Sequence, residues 1–80
     1  MAIKKLTELA RGERAKIWRL TGNENICRRL RSMGITEKGA IRRVFDSPFG
    51  DPVCYESQGV LVAIRGEDGT GILVEDTSWD

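Results

Sequence analysis

Histidine is absent from this 80-residue sequence. Its absence removes the commonest general base and the commonest metal ligand. Ser-His and Cys-His nucleophilic pairs are excluded with it. Cysteine is limited to Cys27 and Cys54, far apart and never in a C-x-x-C step, so a structural zinc motif has no support. No long apolar run exists: the longest, residues 60–64, falls far short of the ~20 residues a membrane helix needs. The opening Met-Ala-Ile-Lys-Lys lacks the apolar stretch and cleavage site of a secretory signal. The expectation is a protein that neither spans a membrane nor is exported, kept in a reducing compartment where a disulfide is disfavoured. Aromatic residues are few: Trp18, Phe45, Phe49, Tyr55 and Trp79.

What is present suits one small globular domain. Apolar residues make up 40% and charged residues 31%, which is not the composition of a disordered chain. A domain of this size buries roughly 60% of its unfolded surface, so its core is thin. The net charge of +1 hides a split: residues 1–43 carry +8 and residues 44–80 carry −7. Such asymmetry marks a surface for nucleic acid or an acidic partner, unless the two halves interleave and the charges mix.

Along the chain, Leu6-Thr-Glu-Leu9 suits a single anchoring turn and Arg11-Gly-Glu13 a tight turn. Residues 13–20 alternate, with Ala15 and Ile17 inward and Arg14, Lys16 and Trp18 outward. Leu20 falls on the Trp18 side unless a bulge re-aims it. A helix then starts at Thr21-Gly-Asn-Glu24, through a Thr21 capping box or through Asn23 as the cap. Ile26, Leu30 and Met33 form its apolar stripe, and Gly34 with Ile35 reads as a Schellman stop. Residues 40–45 form a strand with mixed faces, which a bulge or a buried Arg43 stem would reconcile. Two prolines bracket the loop Pro48-Phe-Gly-Asp-Pro52. Residues 53–57 alternate, Gln58-Gly59 is a hairpin turn, and residues 60–65 form a strand with Val60, Val62 and Ile64 inward and Leu61 outward. Residues 66–71 read as a polar glycine-rich loop, 72–74 as a last short strand, and 76–80 as an acidic, mobile tail. The sum is a mainly β protein: about five short strands in a closed or nearly closed barrel, with one short α-helix packed on it. Residues 1–75 form the single domain.

The residues offer little for catalysis. The pairs Glu67-Asp68 and Glu75-Asp76 are adjacent in sequence, and neighbours on a strand face opposite ways. Gly66-Glu-Asp-Gly-Thr-Gly71 is glycine-rich, but its two acids would repel phosphate and no lysine follows. Cys27 lies beside the helix stripe and reads as a small core hydrophobe. Cys54 with Glu56 gives a weak soft-ligand pair. The strongest charge feature is Arg28-Arg29-x-Arg31, a solvated helix face or a contact for phosphate or an acidic partner. Trp18, Leu61 and Phe49 point outward and would mark a protein-binding patch if they cluster.

Four segments resemble the ferrous iron transport protein A (FeoA) family: Leu6-Thr-Glu-Leu-Ala-Arg-Gly-Glu-Arg-Ala-Lys-Ile17, Arg29-Leu30-x-x-Met33-Gly34-Ile35, Pro48-Phe-Gly-Asp-Pro-Val53, and Gly59-Val-Leu-Val-Ala-Ile-Arg65 followed by Ile72-Leu-Val74. The resemblance implies an SH3-like barrel. It also implies a non-enzymatic, cytoplasmic accessory role in bacterial Fe²⁺ uptake, acting at the cytoplasmic GTP-binding region of the membrane transporter FeoB. This chain departs from the family at Gly69-Thr-Gly71, where a helical turn is common, and at Arg43 and Ser57, where apolar residues are common. A similar domain ends metal-dependent transcriptional repressors, but this sequence has no helix-turn-helix stretch, which favours the stand-alone protein. The expected contact residues are Arg28, Arg29, Arg31, Trp18, Phe49 and Leu61, with no catalytic set and no required cofactor beyond transient Fe²⁺ or another divalent ion. Gly34, Gly50, Asp51 and Pro52 are expected to be structural. The rival expectations are a nucleic-acid-binding barrel and a metal-sensing module built on Cys54.

Overall fold

Six strands form, one more than the alternation predicts, in a computed structural model that describes residues 2–76. β1 (Ile3–Lys5) runs through a 3-10 turn (Leu6–Glu8) to β2 (Arg14–Leu20), and α1 (Glu24–Ser32) follows. Then come β3 (Ala40–Asp46), β4 (Val53–Ser57), β5 (Val60–Ile64), a four-residue α2 (Gly66–Gly69) and β6 (Ile72–Asp76). All pairings are antiparallel, in the order β1-β6-β2-β3-β4-β5. The strand missed from the sequence is β1, three residues with two lysines and no buried side chain. Pairing with β6 holds it in place, aided by the Lys4–Glu13 ion pair. The expected tail begins one residue later, because β6 runs to Asp76; Trp79 and the rest of the tail lie outside the described residues.

One core cluster lies inside the curl of the sheet. Leu6, Ile17, Ile35, Ile72 and Val74 are fully buried in it, joined by Leu9, Ile41 and Tyr55. Ala15 and Ile17 point inward as the alternation requires. A bulge does re-aim Leu20: partners of β2 on β6 slip between Ile17 and Arg19, and Leu20 ends buried. The same device resolves β3, where register slips between Arg43 and Phe45. The Arg43 head does not reach for water. It donates to the backbone oxygens of Thr7 and Leu9 and to Asp46, tying the 3-10 turn to β3.

One open alternative is settled and three local expectations change. Asn23, not Thr21, caps α1, its side chain accepting from the Ile26 N–H at 2.9 Å. Thr21 bonds the Gly71 carbonyl instead, joining β2 to the start of β6. The buried stripe of α1 is Cys27 and Leu30, with Ile26 at its margin and Met33 37% exposed, because the helix ends before Met33 can turn inward. Val60 is 57% exposed rather than inward, since it begins an edge strand beyond the reach of the core. Residues 66–69 coil into α2, with Asp51 Oδ1 accepting from the Gly66 N–H at 2.7 Å at its start.

The helix stop is as read: Ile35 N–H donates to Leu30 O and Gly34 N–H to Arg31 O, with Gly34 at φ +89°. Ile35 is thereby drawn into the core. The Gln58-Gly59 turn has both residues at positive φ, the type I′ geometry that suits a two-residue hairpin.

Candidate functional site

The bulge in β2 has a chemical consequence. Consecutive residues of a regular strand face opposite ways. The extra residue at Trp18 instead leaves Trp18 and Arg19 both exposed. The Arg19 guanidinium lies 4.7 Å from the Trp18 ring centroid, a cation–π pair. Trp18, 44% exposed, forms one wall of an open groove of about 640 Å³. Lys16 and Ile17, Glu37 and Lys38 of the α1–β3 turn, and Glu75 of β6 line the rest. Lys16 and Glu75 are cross-strand partners, so the groove has a mixed rim with three cations and two carboxylates.

α1 divides its three arginines. Cys27 and Leu30 face the core, which leaves Arg28 and Arg31, one helical turn apart, on one side and Arg29 on another. Arg31 meets Glu37 at 3.8 Å and so adjoins the Trp18 groove. Arg29 turns to Asp68 of α2 at 2.8 Å. Arg28 is exposed and has no ion pair among the described residues.

Phe49 and Leu61 do not join this group. Trp18 lies past the Ala40 end of β3, whereas Phe49, 96% exposed, sits in the loop beyond its Asp46 end. Seven residues of strand separate the two, about 20 Å. Leu61, 58% exposed, is aligned with Glu56, Arg42 and Arg14 across the sheet, three strands from β2. The expected contact residues therefore occupy separate places, with Trp18 and Arg31 beside one groove. Sequence reasoning missed Arg19, Lys38 and Glu75 as its walls. The conflict between the side of Leu20 and the period of β2 was the signal for the bulge that exposes Arg19.

A smaller hollow of about 310 Å³ lies between the Pro48–Pro52 loop, the 3-10 turn and α2, lined by Thr7, Arg43, Asp51, Val53, Tyr55 and Ile64 among others. Burial pushes the Tyr55 phenol above its ordinary value, opposed by the nearby Arg43 charge. Elsewhere, the bond between Lys4 and Glu13, at 2.7 Å, raises the Lys4 ammonium and lowers the Glu13 carboxyl. The Ala10 N–H lowers Glu13 further.

Metal chemistry finds a sparse set of groups. Among the described residues no three His, Cys, Asp or Glu side chains gather as a cluster able to hold an ion. Cys27 is buried, with its thiol toward the Gly22 carbonyl at 3.3 Å. Cys54 and Glu56 share the outer face of β4, where Glu56 is already paired with Arg42 at 3.1 Å. Among the described residues no helix is long and apolar enough to cross a membrane.

The model of the FeoA domain matches residues 4–76. No curated protein matches the chain. Among solved structures, the chain is similar to the FeoA protein of Chlorobium tepidum, with a TM-score of 0.87 and 29% identity over 95% of this chain and 72% of that one. It is also similar to Stenotrophomonas maltophilia FeoA complexed with zinc, described as a procaryotic SH3 domain protein, with a TM-score of 0.72 and 27% identity over 89% of this chain and 88% of that one. A manganese-dependent transcriptional repressor shares the fold at a TM-score of 0.86 and 17% identity, over 95% of this chain and 37% of the repressor. The fold is thus the mainly β, SH3-like one, and the chain belongs to the FeoA family.

Proposed function

We propose that this chain is a non-enzymatic accessory protein of ferrous iron uptake, working in the cytoplasm on the GTP-binding region of the transporter FeoB. Family membership supports the iron-uptake setting. For the neighbour from S. maltophilia, a role as a ferrous iron transport activating factor has been suggested. The observation that carries the binding role is the Trp18 groove. A half-exposed tryptophan stacked by an arginine, flanked by Lys16 and Lys38, combines the two side-chain types most enriched where binding energy concentrates. Arg28 and Arg31 extend that mixed rim with positive charge along α1, toward a partner surface with carboxylates. Iron is cargo of the partner in this reading, and no residue of this chain is assigned to hold it.

Titration of the isotopically labelled chain with the soluble cytoplasmic domain of the transporter tests the reading. Amide shifts should concentrate at residues 16–19, 28–31 and 37–38, with the Trp18 indole among the largest. Trp18→Ala should weaken binding by roughly tenfold or more. The triple change of Arg28, Arg29 and Arg31 to Ala should act mainly through Arg28 and Arg31. Shifts confined to the Phe49 loop or to Leu61, or an affinity unmoved by these changes, would overturn the assignment of the face.

A further inference from the structure

β5 is an edge strand whose outer side has no partner among the described residues. The ladder shows which groups are left over. The two-residue turn makes Ser57 and Val60 a hydrogen-bonded pair, and such pairs recur at every second residue. Val60, Val62 and Ile64 therefore direct their N–H and C=O groups to β4. Leu61 and Ala63 direct theirs outward, and no backbone or side-chain group among the described residues meets them.

The side chains beside these groups are apolar as well. Leu61 is 58% exposed and Ala63 is exposed. Behind Ala63, in the same cross-strand row, lie Cys54 and then Phe45, itself 46% exposed. Edges of natural sheets are ordinarily blunted by charge, proline or a bulge. The opposite edge obeys, since β1 carries Lys4 and Lys5. β5 obeys none of these: Val-Leu-Val-Ala-Ile is uncharged, lacks proline, and pairs with β4 without a slip.

We propose that the β5 edge is a self-association surface, on which two copies of this chain pair antiparallel about a two-fold axis at Val62. The register is self-complementary about Val62, one strand supplying both halves of the pairing, and that selects a second copy as the occupant. In that register Leu61 of one copy lies opposite Ala63 of the other, and both residues aim their N–H and C=O groups across the gap. The pairing forms about four hydrogen bonds and uses every outward group of the strand. Arg65 falls opposite Gly59 of the second copy, and Glu56, next to Leu61, is neutralised by Arg42, so no like charges meet. Leu61 and Ala63 then cover each other on the outer face. A strip this short buries much less than the ~800 Å² per partner of a stable complex, so the dimer is weak and depends on concentration. The surface lies apart from the Trp18 groove, and the proposal stands whether or not the transporter binds there.

Sedimentation and amide exchange of the full chain, from micromolar to millimolar concentration, test it. The expected result is an apparent mass rising toward twice the monomer. Exchange at the Leu61 and Ala63 amides should slow about tenfold across the series, while Val62, already bonded to β4, changes little. Leu61→Lys and Ala63→Pro should each abolish the rise. Neither removes a bond of the β4–β5 ladder, because both N–H groups point outward, and an otherwise unchanged amide spectrum verifies the fold. A chain that stays monomeric with unprotected edge amides overturns the proposal. So does a dimer indifferent to both variants, or an edge protected only after another protein is added.

Discussion

Tyr55 shows how a single residue records its surroundings. It is 1% exposed, it is the one tyrosine in the chain, and its hydroxyl makes no hydrogen bond among the described residues. Burial keeps the phenol protonated above its ordinary value near 10. The folded chain then holds a proton that the unfolded chain releases. The stability tied to the neutral phenol is full below about pH 10 and is lost as pH rises through the folded value. Phenolate absorbance, read from this one tyrosine, should therefore appear only above the ordinary range and together with unfolding. Tyr55→Phe should change stability at neutral pH by less than about 1 kcal/mol, since no bond is lost, and should flatten the alkaline limb of the stability curve. A phenol that titrates at its ordinary value in the folded protein would contradict this account of its burial. Arg43 is the neighbouring lesson: a charge at a nominally apolar strand position is accommodated by two backbone oxygens and one carboxylate.

Two glycines separate conformational from steric demands in the elements. Gly34 ends α1 at φ +89°, and a methyl there would meet nothing within 4 Å. Gly34→Ala should therefore cost about 1 kcal/mol, the penalty of the left-handed backbone alone. Gly69 has ordinary φ, but a methyl there would sit 3.0 Å from Thr7 Cγ2. Gly69→Ala should press α2 off the 3-10 turn, moving the amide signals of residues 6–8 as well as lowering the urea midpoint, whereas Gly34→Ala should leave those signals in place. Equal shifts in both variants would show that α2 does not rest on the turn. The same elements show what the sequence made legible. Where one face is buried and caps are strong, as in β2, β4 and α1, period and end signals located the element and most of its inward side chains. β1 and α2 escaped because nothing local specifies them: two lysines in three residues, and Gly-Glu-Asp-Gly. Tertiary contacts hold both, through β6 in one case and through Thr7 and Asp51 in the other. The Trp18 groove was half legible, because an outward tryptophan follows from alternation while Lys38 and Glu75 arrive from elements distant in sequence.

At the scale of the whole molecule, the topology undoes the charge split that the sequence displays. β6, from the acidic half, lies between β1 and β2 of the basic half, and β3 and β4 pair across the divide. Arg29–Asp68, Arg42–Glu56 and Arg43–Asp46 are ion pairs between the halves, and Lys16 faces Glu75 across β2 and β6. Nucleic-acid binding by a small barrel requires a positive track several phosphates long, with aromatics spaced to stack successive bases. Here the cations alternate with carboxylates. Among the described residues, the exposed aromatic rings are divided between Trp18 at one end of β3 and Phe45 and Phe49 at the other. Among the described residues, the Trp18–Arg19 shelf offers stacking for a single base and no continuation. A single-stranded DNA or RNA oligomer should therefore bind no tighter than about 100 μM even at low salt, the weak limit of non-specific association. Fluorescence anisotropy across a salt series reads this directly. Micromolar affinity with a steep salt slope would mean that Lys16, Arg19, Lys38, Arg28 and Arg31 act as one field despite their acidic neighbours. The groove would then be a nucleic-acid site rather than a protein one. Flat, weak binding leaves the mixed rim to a partner that brings both signs of charge, which a folded protein surface does and a phosphodiester chain does not.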